Sequence, residues 1–259
     1  MIKDFELLAF NKQGFIPGPQ ESTVEFLERI AEMQSCRDSG ETVPPSHLHW
    51  VRERVEGLYG FEPSSIAVTY SNHQLAPWQG AACWIDESGI SRLQLREGFR
   101  KGRYLGLYGR DEVIAHEAIH AARAAFNEPR FEEVFAYSSS LKKWRSIVGP
   151  LLQRPFEAWV VIGCVLGSLA WEPLGAIAWI LMGLGFMRLV RTRLCLRRAA
   201  KCLMQRLGDA KKVRSVLFRM TDAEIEKLSQ GYEIEGDDTL RWRLLRLAYF
   251  GDRKWHRKL

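Results

Sequence analysis

The spacing of apolar positions divides the chain into segments of different texture. Between residues 22 and 36 they recur at helical intervals: Val24, Leu27 and Ala31 at i, i+3, i+7, and Phe26, Ile30 and Met33 at i, i+4, i+7. Ser22 followed by Glu25 forms a capping box at the start. A second helix is predicted from about Ser46, after Pro44-Pro45, to Gly57 or Gly60. From residue 65 to 99 the period shortens. Residues 66–70, 81–85 and 91–95 read as short strands, punctuated by Asn72, Pro77, Gly80 and Ser88-Gly89. Helical spacing returns over 111–126, breaks at Asn127-Glu128-Pro129, and resumes from about Phe131 to 138–141. Residues 1–20, with Gly14, Pro17, Gly18 and Pro19, read as irregular.

The pattern then turns continuously apolar. Residues 158–187 contain one charge, Glu172, followed by Pro173. The arms on either side, 158–171 and 174–187, have fourteen residues each, about 21 Å of helix against a hydrocarbon core of roughly 30 Å. A single helix through the stretch would carry Glu-Pro at its centre, so a helical hairpin turning at Glu172-Pro173 is predicted. Trp159, Trp171 and Trp179 are placed as interfacial anchors, and Gly163 and Gly167 as a small-residue pair where the arms approach. A buried hairpin of a soluble protein is the alternative, and the length of the uncharged stretch weighs against it. Beyond Gly208 short amphipathic helices follow, one opened by the capping box Thr221–Glu224, another over 238–249.

Charge refines this picture. Residues 1–155 carry 18 Lys and Arg against 20 Asp and Glu, a net −2, and residues 156–259 carry 19 against 11, a net +8. Eleven of the basic residues fall in 188–219, beside one acid, Asp209. Lys142, Lys143, Arg145 and Arg154 precede the hairpin. Both flanks are basic, so both are expected on the cytoplasmic side. The polybasic stretch is expected to lie on anionic headgroups, with Leu189, Val190, Leu194 and Leu203 toward lipid. No recognition motif accompanies the charge, so nucleic acid is not an expected partner. Five cysteines without a CxxC fit reduced thiols rather than a disulfide framework or zinc ribbon. The first residues mix charges and predict no secretory signal.

One motif carries chemistry: His116-Glu117-Ala118-Ile119-His120. Residues at i and i+4 share a helix face, so both imidazoles can reach one ion, while Glu117 faces the ion's water. Zn2+ held by two imidazoles and a carboxylate keeps a position for water, and Glu117 is then the general base and acid. At this His and Glu content an accidental HExxH has a probability of roughly 1%. Chain geometry narrows the third ligand. The helix runs about 9 Å past His120 before reversing, and a returning helix regains most of that distance at Glu132 and Glu133.

Here the sequence resembles an HExxH zincin metallopeptidase of the gluzincin type, which takes its third ligand from a Glu on a later helix. Glu133-Val134-Phe135-Ala136 resembles the Glu-Gly-Phe-Ala ligand segment of the gluzincin aminopeptidases, with twelve residues between His120 and Glu133. On that match Glu133 is the ligand, with Glu132 the alternative. The resemblance covers residues 110–140. It also implies a small sheet before the active-site helix, whose edge strand holds extended substrate, either 81–85 or 91–95. Candidates for steadying the tetrahedral intermediate are Tyr137, Arg123 and His73, each weighed against a packing or surface role. His47 and His49 face opposite sides of a helix and form no joint site. Asp111 and Glu112 read as first-turn acids, and Glu224 and Glu226, beyond the hairpin, rank last as ligands.

The expected architecture is α+β. It comprises a zincin-like domain over 1–150, a membrane hairpin over 156–190 and a basic helical region over 191–259. The expected activity is zinc-dependent peptide-bond hydrolysis on a peptide or protein substrate at a membrane. The alternative is a non-catalytic, membrane-anchored scaffold in which the His-Glu motif is incidental or binds a structural metal through four protein ligands.

Overall fold

Helices dominate the computed structural model, which describes residues 2–38, 45–63, 68–76, 79–85, 91–104, 106, 108–153, 155–234 and 236–251. In chain order the elements are α1 (Asp4–Lys12), α2 (Thr23–Asp38), α3 (Pro45–Tyr59), β1 (Val68–Tyr70), β2 (Ala81–Ile85), β3 (Ser91–Leu95), β4 (Arg103–Tyr104), β5 (Tyr108–Gly109), α4 (Arg110–Arg123), α5 (Pro129–Tyr137), α6 (Lys143–Val148), α7 (Pro155–Gly167), α8 (Pro173–Leu207), α9 (Ala210–Phe218), α10 (Asp222–Ser229) and α11 (Leu240–Leu245). The breakers at 14–19 do follow a helix: residues 4–12, expected to be irregular, form α1, with Asp4 and Glu6 in its first turn. Both capping boxes form. Glu25 N–H donates to Ser22 Oγ at 3.3 Å, and Glu224 N–H to Thr221 Oγ1 at 3.1 Å. Residues 66–67, Pro44, Pro77, Ser88-Gly89 and Arg154, with the side chains of Cys36 and His47, lie outside the described residues. Cys83, Cys164, Cys195 and Cys202 are free thiols.

The three-stranded sheet has the order β1-β3-β2, with β3 parallel to β1 and antiparallel to β2. Of the two strands considered for the substrate edge, 91–95 is therefore central, and Ala81–Ile85 is an edge. Leu93 and Leu95 pack into the core with Ile114 and Ile119 of α4, which sets the histidine-bearing helix against the sheet.

That core crosses the sequence division at 150. Val51, Val55 and Tyr59 of α3 share one apolar cluster with Cys195, Ala199 and Leu203 of α8 and Val216 and Phe218 of α9. Three buried arginines brace this core, and two of them, Arg219 and Arg123, bridge the division. Arg219 donates to Asn11 Oδ1 at 2.7 Å and to the carbonyls of Tyr59 and Ser215 at 2.8 Å. Arg241 grips Glu224 with two bonds of 2.7 and 2.9 Å. Arg123 donates to the carbonyls of Phe218 and Met220 at 2.5 and 3.1 Å. Buried carbonyls and carboxylates need such donors, and a guanidinium supplies several at once.

The apolar run folds as a hairpin. α7 ends at Gly167, and Pro173 occupies the first turn of α8. A Cβ on Gly167 would meet Leu174 Cδ1 at 2.6 Å, so this glycine permits the close approach, whereas Gly163 has open space beside it. Leu169 and Trp179 are 88% and 80% exposed, and Trp159 and Trp171 also face outward. α8 is long and apolar enough to cross a membrane by length and composition. It continues unbroken into the basic stretch. There Thr192, Cys195, Ala199 and Leu203 are buried, while Arg191, Leu194, Arg198 and Lys201 are exposed, a clean amphipathic division. Two of the four residues expected toward lipid point the other way: Leu189 is 3% and Leu203 0% exposed, both against protein, while Val190 and Leu194 face outward. At the hairpin's base Arg188 pairs with both Glu157 oxygens at 2.8 Å and donates to Leu151 O at 3.0 Å.

Candidate metal centre

Local sequence explains how α4 and α5 meet. α4 passes through a 3-10 turn at Ala124–Phe126 into Asn127, which adopts a left-handed conformation (φ 50°), and Pro129 then starts α5 with its φ already helical. Alanines at 115, 118 and 122 keep α4 slim where it is covered. Phe131 and Phe135 anchor α5 in the core, which turns Glu132 and Glu133 toward the histidines.

The three predicted ligands come together. His116 Nε2 and His120 Nε2 are 3.2 Å apart. Glu133 Oε2 lies 3.7 Å from His116 Nε2, and its Oε1 lies 3.7 Å from His120 Nε2. Two donors each about 2.1 Å from one tetrahedral ion are about 3.4 Å apart, so the spacing suits ligands sharing a single zinc. Among the described residues the cluster has these three members.

Glu132, the alternative ligand, sits elsewhere. Its Oε1 is 2.8 Å from His120 Nδ1, the nitrogen turned away from the cluster. A carboxylate there fixes the tautomer, orients the ring and raises its basicity. The adjacent acids thus take different places, Glu133 among the candidate metal donors and Glu132 behind one of them. Glu132→Gln is expected to weaken zinc affinity by about 10–100-fold with the fold intact, measurable by competition with a chelating dye. Unchanged affinity would remove Glu132 from the site.

Glu117 is almost fully buried at the cavity wall. Burial pushes its carboxyl up to about 7; the His120 cation and the Cys83 N–H oppose this, and the Glu133 and Glu132 charges add to it. Burial holds His116 well below its usual value, so the ring is neutral. Burial also pulls on His120, but the Glu132 hydrogen bond and the Glu133 and Glu117 charges outweigh it and raise it to about 9. Loading a metal must displace that proton, so affinity rises with pH up to that value.

The cluster lies in a cavity of about 540 Å³, walled by Ala81, Ala82 and Cys83 of the β2 edge and by Tyr137. Tyr137 packs edge-on to His116 with 4.6 Å between ring centroids. A Cβ on Gly149 would meet the tyrosine ring at 2.2 Å, so only glycine lets the 149–151 turn close over it. Burial raises the Tyr137 phenol above its ordinary value, and it remains a hydrogen-bond donor.

The other named residues stand apart. Arg123 turns away, its guanidinium held by Phe218 and Met220 and facing Glu128 and Asp222 at 3.8 and 3.9 Å. His73 is an exposed loop residue whose carbonyl accepts from Gln94 Nε2 at 2.8 Å. Glu226 pairs with Arg130 at 2.7 Å, and Glu224 with Arg241. Glu112, read as a first-turn acid, lines the cavity, accepts from Ser140 Oγ and pairs with Arg145 at 3.0 Å. Its spacing to Arg145 gives no sequence signal; the Glu132–His120 bond had one, in the doubled acid. No protein-family model, curated protein or solved structure matches the chain.

Proposed function

We propose that this chain is a membrane-anchored, zinc-dependent metallopeptidase built on a zincin-like arrangement of α4, α5 and the β2 edge. The observation that carries the reading is the convergence of His116, His120 and Glu133, with Glu117 beside them in an open cavity. When bound, zinc supplies a Lewis acid that brings the pKa of a water toward about 7. Glu117 takes a proton from water and returns it to the departing nitrogen, a role suited to a carboxyl that lines the cavity beside the three donors. The β2 edge offers main-chain groups to an extended substrate. Tyr137 is the better-placed donor for the tetrahedral oxyanion, since Arg123 and His73 lie elsewhere. Three donors, rather than four, among the described residues favour a catalytic over a closed structural site. The purified full chain is expected to hold one zinc that His116→Ala loses. A folded, zinc-free wild type after incubation with the metal would favour the scaffold.

Membrane attachment rests on the exposed apolar hairpin. The chain before α7 and the chain after residue 188 share one core. A packed core keeps both on one side of a bilayer, and the basic flanks favour the cytoplasmic side. Cysteines introduced at the exposed positions Phe5 and Tyr232 in a cysteine-free background should be labelled from the same face of sealed vesicles. Labelling from opposite faces would require a single span.

A further inference from the structure

The metal cluster is open on two sides. A second cavity of about 770 Å³ adjoins the first, and His120, Glu133 and Gln153 line both. The first runs along β2; the second opens between α5 and α8, past Leu184, Met187 and Arg191. A site closed at one end receives a chain terminus, whereas one open at both ends lets a chain pass through. Terminus recognition also needs an uncommitted charge, and the described acids lining the cavities are engaged. Glu112 is held by Arg145 at 3.0 Å, Glu132 by His120 at 2.8 Å and Glu157 by Arg188 at 2.8 Å. Glu117 and Glu133 face the cluster itself. Arg130 is likewise engaged by Glu226, and Arg191, the remaining cation lining the second cavity, is exposed where α8 turns basic rather than aimed at the cluster.

The rim of this groove carries the marks of a membrane surface. The second cavity opens where α8 changes from apolar to basic, between Met187 and Arg188. Next to this part of α8, whose Arg193 donates to the Ser146 and Ile147 carbonyls, Leu141, Trp144, Ile147 and Val148 are exposed beside Lys142 and Lys143, and Val148 lines the first cavity. An aromatic and aliphatic surface flanked by lysines suits headgroup depth. Resting on the metallopeptidase reading, we propose that the groove takes an internal, juxtamembrane stretch of a membrane-anchored polypeptide and cuts it as an endopeptidase. Hydrolysis breaks one internal C–N bond; water's oxygen joins the carbonyl carbon, and a water proton goes to the departing nitrogen.

The test uses the zinc-loaded full chain in phosphatidylcholine–phosphatidylglycerol vesicles. The probe is a randomised, internally quenched decapeptide library blocked at both ends. It is presented free, or joined to a dipalmitoyl anchor through a spacer of four or of thirty hydrophilic residues. The short-spacer library should be cut at least tenfold faster than the long-spacer one, although both are tethered. Unblocking the amino end should bring no gain. Equal rates for the two spacers, or stepwise release of single amino acids from a free end, would overturn the proposal and leave the peptidase reading standing. No cleavage of any library by zinc-bound protein would overturn both. A second readout needs no turnover. In Glu117→Gln, a benzophenone beside the anchor of the short-spacer library should cross-link within residues 184–191 or 141–148, and cross-links confined to other surfaces would overturn the placement.

Discussion

Glu117→Gln is expected to lower peptide hydrolysis by about 10³-fold, within the range general acid–base catalysis supplies, with zinc still bound at one per chain. The substitution is nearly isosteric in a buried place. Its amide oxygen can still accept from the Cys83 N–H that now meets the carboxylate, so the wall of the cavity should hold its shape. What disappears is the ability to take a proton from water and return it to nitrogen. His116→Ala should lose activity and metal together, and that pairing separates base from ligand. Elemental analysis and a quenched-peptide assay on the same preparations decide the matter: an active Glu117→Gln would end the proposed role.

Arg123→Met should destabilise the fold by about 3–5 kcal/mol, the range for breaking a buried charge pair on one side. The guanidinium is sealed in the interior. Its removal leaves the Phe218 and Met220 carbonyls without their donor and Asp222 and Glu128 without a facing cation. Arg123→Lys should recover little, because one ammonium on a flexible stem cannot reproduce the fork. The exposed Arg191→Met is the control, expected within about 0.5 kcal/mol of wild type. Thermal unfolding in detergent reads all three, and an Arg123→Met midpoint indistinguishable from the control would refute the interior role.

Much of the candidate site was legible because its signals are local. The i, i+4 histidine pair, the Asn-Glu-Pro break and the Glu pair on the return lie within eighteen residues, and helix geometry alone brings them together. The hairpin was legible for the same reason: a charge and a proline interrupt an uncharged stretch. What escaped depends on distant partners. Periodicity shows that Leu189 and Leu203 share an apolar stripe, but the same stripe fits lipid or protein, and only the packing of α8 against distant helices decides. Arg123 lies on the motif's helix, three residues past His120, yet its acceptors are 95 and 97 residues away. The assignment of Glu132 to the far nitrogen of His120 turns on side-chain direction, which spacing does not encode.

The distance between Arg123 and its acceptors also sets an order of events during synthesis. The histidine-bearing helix leaves the ribosome early, but Phe218 and Met220 follow about 95 residues later, an interval of about 5–20 s at ordinary elongation rates. The whole apolar hairpin is translated within that interval. The nascent chain therefore offers its greasiest segment to a bilayer or an insertion factor before its interior can close. Any capture of the hairpin would come first and closure of the interior second.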